Sequence, residues 1–105
     1  MNLVQIYIHP DRLIRFAAAQ GLARAADEDL GYACHAWLRA EFGDLAPKPF
    51  RLFDADSNRS ARLLGYSTQS AEALLEHAQT FADPIAHAAL DATTIAAREI
   101  GRAHV

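Results

Sequence analysis

The stretch Asp27–Gly43 reads DEDLGYACHAWLRAEFG, and the rest of the chain is organised around it. At about 100° per residue of helix, Leu30, Cys34, Trp37 and Leu38 fall on one stripe that can be buried. Tyr32, His35 and Arg39 fall on the opposite stripe, within one side-chain width of each other. Asp27, Glu28 and Asp29 put negative charge where the first N–H groups of a helix need acceptors and its dipole favours anions. Gly43 is a natural stop. A phenol, an imidazole and a guanidinium on the accessible side of an anchored helix suit acid–base chemistry on a phosphate.

Before this helix, Leu3–Ile8 (LVQIYI) is short, β-branched and aromatic, and reads as a strand inside a sheet. His9-Pro10-Asp11 ends it and opens a helix over Arg12–Gln20, with Leu13, Ile14 and Phe16 apolar. Gly21 interrupts that pattern, and Leu22–Ala26 is ambiguous. After the central helix, Asp44–Pro49 (DLAPKP) is a turn, Phe50–Asp54 a second strand, Asp54–Ser60 a hairpin loop and Arg62–Ser67 a third strand. Ser67–Ser70 supplies helix caps. Ala71, Leu74, Leu75, Ala78 and Ala82 then recur at helical spacing with Phe81 beside them. Asp83-Pro84 ends that helix, and Ile85–Leu90 reads as one more short helix.

The order strand, helix, strand, strand, helix makes this an α+β chain. It supplies five of the six elements of a ferredoxin-like (RRM-like) split β-α-β domain. The sixth, a strand beside the first, is expected to be missing or incomplete. Thr93–Ile100 (TTIAAREI) is a poor candidate, being short and alanine-rich without clean alternation.

The totals set outer limits. With 105 residues, 51% of them hydrophobic, one domain with a modest core is expected. The net charge of −3 is not the electrostatic footprint of a nucleic-acid binder. Lys48 is the only lysine against nine arginines, a bias that suits phosphate recognition but also follows from a GC-rich gene. One cysteine, Cys34, excludes an internal disulfide and a cysteine-rich zinc site, and lies on the buried stripe, so it reads as core. No signal peptide precedes the first strand and no apolar run is long enough for a membrane span, so a cytoplasmic protein with no membrane partner is expected.

Taken alone, Tyr32-x-x-His35 is a weak signal that fits a solvated helix face better than a site. His9, His77 and His87 show no metal-ligand spacing with His35. Asp54-x-Asp56-x-Asn58 opens like a calcium loop, but Arg59 stands where glycine is required and Gly65 where glutamate is required, so it is read as a turn. No metal and no cofactor are expected.

Several stretches together resemble one family, the CasE-type CRISPR-associated endoribonucleases that process precursor guide RNA in type I-E systems. They are the LVQIYI strand, Asp29-Leu30-Gly31-Tyr32-x-x-His35-x-x-Leu38, Phe42-Gly43-Asp44, Ala46-Pro47-Lys48-Pro49-Phe50-Arg51-Leu52, Leu63-Leu64-Gly65-Tyr66-Ser67 and Phe81-Ala82-Asp83-Pro84. Order and spacing agree to about Ala97. The resemblance implies metal-independent cleavage of a CRISPR repeat RNA hairpin, leaving a 2′,3′-cyclic phosphate. It implies a second ferredoxin-like domain in the complete protein, which joins type I-E effector complex subunits. It also implies that His35 and Tyr32 are catalytic. Arg39 is an RNA-binding candidate from its place on the helix and is not carried over from the family. Because the 2′-OH is the nucleophile, RNA is the substrate. An imidazole is the side chain that titrates near neutrality, so His35 is the proton-transfer candidate, as base or as acid.

Residues 1–97 are therefore expected to form a truncated N-terminal domain. Residues 98–105 are expected to be a non-native tail, because Ile100–Val105 (IGRAHV) matches one reading frame of a common sequencing adapter. Such a fragment, with an open sheet edge, is expected to be poorly stable and inactive alone. The rival reading is a small α/β binding or assembly module that pairs through its sheet edge and has no catalysis.

Overall fold

Alternation within the first strand places it at the centre of the sheet. In the computed structural model, β1 (Asn2–Ile8) buries Val4, Ile6 and Ile8 completely and leaves Leu3, Gln5 and Tyr7 half-buried on the other face. The structure describes residues 1–22, 30–53, 61–92 and 95–100. The hairpin loop with its calcium-like run, the acidic start of the central helix and the ambiguous stretch before it lie outside the described residues, apart from Leu22.

Beyond β1 come α1 (Pro10–Ala19), α2 (Leu30–Phe42), a 3-10 turn (Gly43–Leu45), β2 (Phe50–Phe53), β3 (Ala61–Ser67), α3 (Ala71–Phe81), α4 (Pro84–His87) and β4 (Ala96–Glu99). This is an α+β architecture. The four strands form one antiparallel sheet in the order β2-β3-β1-β4. Residues from all four helices join Val4, Ile6, Ile8 and Leu63 in a single core on one face of the sheet.

The last strand, expected to be missing or incomplete, is present but short. β4 pairs with β1 from Asn2↔Glu99 to Gln5↔Ala96, and Ile100 N–H donates to the Met1 carbonyl at 3.1 Å. The strand is short, covering half of β1. Its side chains are half-buried or exposed, so pairing of backbone groups, rather than a buried side-chain pattern, holds it. The isolated Ile8↔Leu90 bridge continues the protection of β1 beyond β4.

The central helix follows its stripe. Ala33, Cys34, Trp37, Leu38, Glu41 and Phe42 are buried. The Trp37 indole N–H donates to the Ala86 carbonyl at 2.7 Å inside the core, and the ring meets Phe42 edge-to-face at 5.9 Å. Gly43 then takes φ +58°, a conformation glycine adopts without penalty, and the helix ends. Ser70 caps α3 by accepting from Ala73 N–H, and Asp83 caps α4 by accepting from Ile85 N–H, so Asp83-Pro84 starts a helix as well as ending one. Two apolar side chains of the helices lie outside: Ile14 is 43% exposed and Phe81 73%, the latter because α3 ends there and its buried positions are Leu74 and Ala78.

One pair, a buried carboxylate with a half-buried histidine, has no local sequence signal. Glu41 on α2 is 1% exposed and its Oε2 lies 2.6 Å from Nδ1 of His87 on α4. Its Oε1 has no hydrogen-bond partner among the described residues. Burial pushes the Glu41 carboxyl above its ordinary value of 4.5, against the opposing hydrogen bond and charge of His87. The folded state therefore holds that proton more tightly than the unfolded chain. The contribution is fully present below the unfolded value and is lost as pH rises from about 4.5 through the raised folded value. Glu41→Gln keeps a polar partner for His87 without the ionisation. Urea denaturation across that pH interval should show a downward stability slope in the wild type that is flattened in the variant. An unchanged slope in Glu41→Gln would assign it to other groups.

Candidate functional site

The buried stripe of α2 decides where its other stripe points. Tyr32, His35 and Arg39 are all exposed, as the spacing predicts. His35 and Arg39 line a cleft of about 120 Å³ between α2, the 3-10 turn and the segment leading into β2. Asp44, Pro47, Lys48 and Phe50 complete its polar and apolar walls. The His35 ring lies nearly parallel to Phe50, with centroids 6.3 Å apart and planes 19° from parallel. The imidazole thus has an apolar backing while one edge stays accessible. Two cations, Arg39 and Lys48, and one carboxylate, Asp44, share the same small space. Such a space favours an anion, and a guanidinium beside an ammonium can hold phosphate oxygens by charge-assisted hydrogen bonds.

Tyr32 does not line this cleft. It sits one helical turn earlier, 52% exposed, on the accessible side of α2. The structure therefore brings together His35 and Arg39 and leaves Tyr32 at a distance along the same helix.

The sequence reads the Lys48 segment as a turn and as one of the stretches carrying the family resemblance, and gives Lys48 itself no place in the site. Its backbone explains its place. Lys48 N–H donates to the Tyr66 carbonyl at 2.8 Å, and Tyr66 N–H donates to the Pro49 carbonyl at 3.2 Å, so the turn is stitched to β3 just ahead of β2. The Lys48–Pro49 peptide is cis. A sole lysine between two prolines, immediately before a strand, is the sequence signal that marks it. The turn lies close on Gly65. A Cβ there would meet Pro47 Cβ at 2.7 Å and Phe50 Cβ at 3.2 Å, both belonging to cleft residues.

The remaining candidates fall away from the cleft. Cys34 is completely buried, and burial pushes its thiol up to about 12, which makes it core and not a nucleophile. His9 precedes α1 with its N–H bonded to the Ala89 carbonyl. His77 is tilted against Phe81 at 4.9 Å, and His87 is held by Glu41. Among the described residues no group of three or more His, Cys, Asp or Glu side chains is placed to hold a metal ion. No helix among them is long and apolar enough to cross a membrane. Comparison with protein-family models, curated proteins and solved structures finds no match for this chain.

The close approach at Gly65 makes the cleft sensitive to a single methyl group. Gly65→Ala should cost about 1–3 kcal/mol in urea denaturation and shift the NMR resonances of the His35 imidazole, because Pro47 and Phe50 must move. Wild-type stability with unshifted His35 resonances would show that the cleft wall does not depend on this contact.

Proposed function

We propose that this chain is the N-terminal domain of a CasE-type endoribonuclease, with the cleft beside α2 as its share of the active site. The observation that carries the reading is the meeting of His35, Arg39 and Lys48 around one space of phosphate size. The fold supports it. Chain order strand, helices, strand, strand, helices, strand, with sheet order β2-β3-β1-β4, is the plan of a ferredoxin-like, split β-α-β domain. The two helices between β1 and β2 take the place of the single crossover helix.

In this reading a ribose 2′-OH attacks its adjacent 3′-phosphate. The O2′–P bond forms, the P–O5′ bond breaks, and a 2′,3′-cyclic phosphate remains. One proton leaves O2′ and one reaches O5′. His35 handles one of these transfers. Arg39 and Lys48 face the charge that builds on the non-bridging oxygens. Tyr32, one turn earlier, orients the 2′-OH or the phosphate from the accessible end of the helix. The substrate is a CRISPR repeat hairpin in precursor guide RNA. The complete cytoplasmic protein carries a second ferredoxin-like domain that shares hairpin binding and meets the type I-E effector subunits, and residues 1–105 are inactive without it.

Cleavage of the cognate repeat RNA by the complete protein in EDTA tests this. His35→Ala should lower the rate by about 10²–10⁴-fold, and the wild-type product should carry the cyclic phosphate. Equal rates would remove His35 from the mechanism. No cleavage by a well-folded complete wild-type protein would favour a binding module without catalysis.

A further inference from the structure

Between α1 and α4 runs a groove of about 470 Å³ lined by Arg12, Arg15, Pro84, Ile85 and Ala88. It shares no lining residue with the cleft beside α2. On α1 the residues Leu13, Phe16 and Ala17 are committed to the core, which leaves Arg12 and Arg15, one turn apart, exposed on the outer side. On α4 the buried residue is Ala86, while Pro84, Ile85 and Ala88 are exposed, Ile85 at 41%. Arg12 Nη1 donates to the Ala88 carbonyl at 3.1 Å. That bond joins the two walls and leaves the rest of the Arg12 N–H donors for another acceptor. Among the described residues Arg15 makes no hydrogen bond or ion pair, even with Asp11 one turn before it. No carboxylate lines the groove, and Asp83 nearby is engaged as the cap of α4, accepting from Ile85 N–H.

We infer that the groove between α1 and α4 docks an acidic amphipathic helix of a protein partner. An aliphatic floor flanked by two guanidiniums without counter-charge is complementary to apolar anchors set among carboxylates, and the arginine fork matches a carboxylate in geometry. A wholly apolar partner would desolvate both cations with nothing to accept from them. A small inorganic anion would meet the arginines and leave Pro84, Ile85 and Ala88 bare. A nucleic-acid strand would find no aromatic ring among the lining residues on which to stack a base. Neither wall is a strand edge, so an added β-strand has no backbone to pair with, whereas anchors at i, i+3 and i+4 of a helix suit a groove between helices. The walls stand in place before the partner arrives. α4 is fixed from below by the Trp37 bond to the Ala86 carbonyl and at its start by Asp83, so little ordering is left for binding to supply. Because the groove and the cleft share no lining residue, the docked partner leaves the cleft open, and the inference does not depend on what the cleft does.

A labelled peptide of about 15 residues, long enough to hold a helix, with leucines at i, i+3, i+4 and i+7 and glutamates elsewhere, tests the groove. Fluorescence anisotropy with the 105-residue protein should report binding that added salt weakens. Ile85→Ala should lower the affinity about 5- to 30-fold. Arg15→Gln should lower it and flatten the salt dependence, while Arg15→Lys keeps that dependence. Both side chains are exposed, so the urea midpoints of Ile85→Ala and Arg15→Gln should match the wild type and show that the fold is intact. A peptide with lysines in place of the glutamates should not bind. No binding of the glutamate peptide, equal binding of the lysine peptide, or wild-type affinity in Ile85→Ala and Arg15→Gln would overturn the inference. So would binding lost in Arg39→Gln/Lys48→Gln and kept in Arg15→Gln, which would place the peptide in the cleft. A concentration-dependent dimer abolished by Ile85→Ala, with no peptide bound, would make the groove a contact between copies of this chain instead.

Discussion

A hydrogen bond of 2.7 Å from the Trp37 indole to the Ala86 carbonyl ties α2 to α4 in the middle of the core. Both groups are buried, so neither has water as an alternative partner, and separating them would cost about 1–3 kcal/mol for each group left unpaired. The bond sets the roll of α2 about its axis. Turning the helix by one residue would pull Trp37 from its partner and carry Cys34 and Phe42 towards solvent. With the roll settled, His35 and Arg39 must lie on the outer side. The second contact between the same two helices, Glu41 to His87, works in the same sense one turn further on. The accessible stripe of α2 is thus a consequence of its buried one.

The far wall of the cleft has a separate origin. It depends on how closely the turn before β2 approaches β3, which Gly65 permits and the two backbone bonds to Tyr66 hold. The His35 side of the cleft belongs to a helix packed in the core, and the Lys48 side to a turn bound to the sheet. Neither half alone makes a phosphate-sized space. The same stretch of β2 then presents alternate residues to the cleft and to the other face of the sheet.

Much of this was legible in the sequence. Alternation in LVQIYI and the stripe through Cys34, Trp37 and Leu38 gave a central strand and a central helix, and Gly43, Ser70 and Pro84 marked turns and caps where the structure has them. The misses share a cause: each depends on residues far apart in the chain. β4 is held by pairing with β1, and Ala96–Glu99 buries too little to show a period. Glu41 and His87 stand 46 residues apart. Lys48 reaches the cleft only because its turn is bonded to β3. A net charge of −3 hides the groove where Arg12 and Arg15 of α1 meet Pro84, Ile85 and Ala88. Tyr32 marks the opposite case. The sequence grouped it with His35, and helical geometry does put both on the accessible side, but the cleft forms at the C-terminal end of α2 and leaves Tyr32 one turn away.

The central claim is that the cleft beside α2 serves attack by a ribose hydroxyl on its own phosphate. The most direct measurement replaces that hydroxyl. Repeat RNA carrying a single 2′-deoxy nucleotide immediately 5′ of the scissile phosphate should bind the complete protein as tightly as the all-ribose strand and remain uncut. Cleavage of the 2′-deoxy substrate at the same phosphate would show that another nucleophile does the work, and would contradict the account.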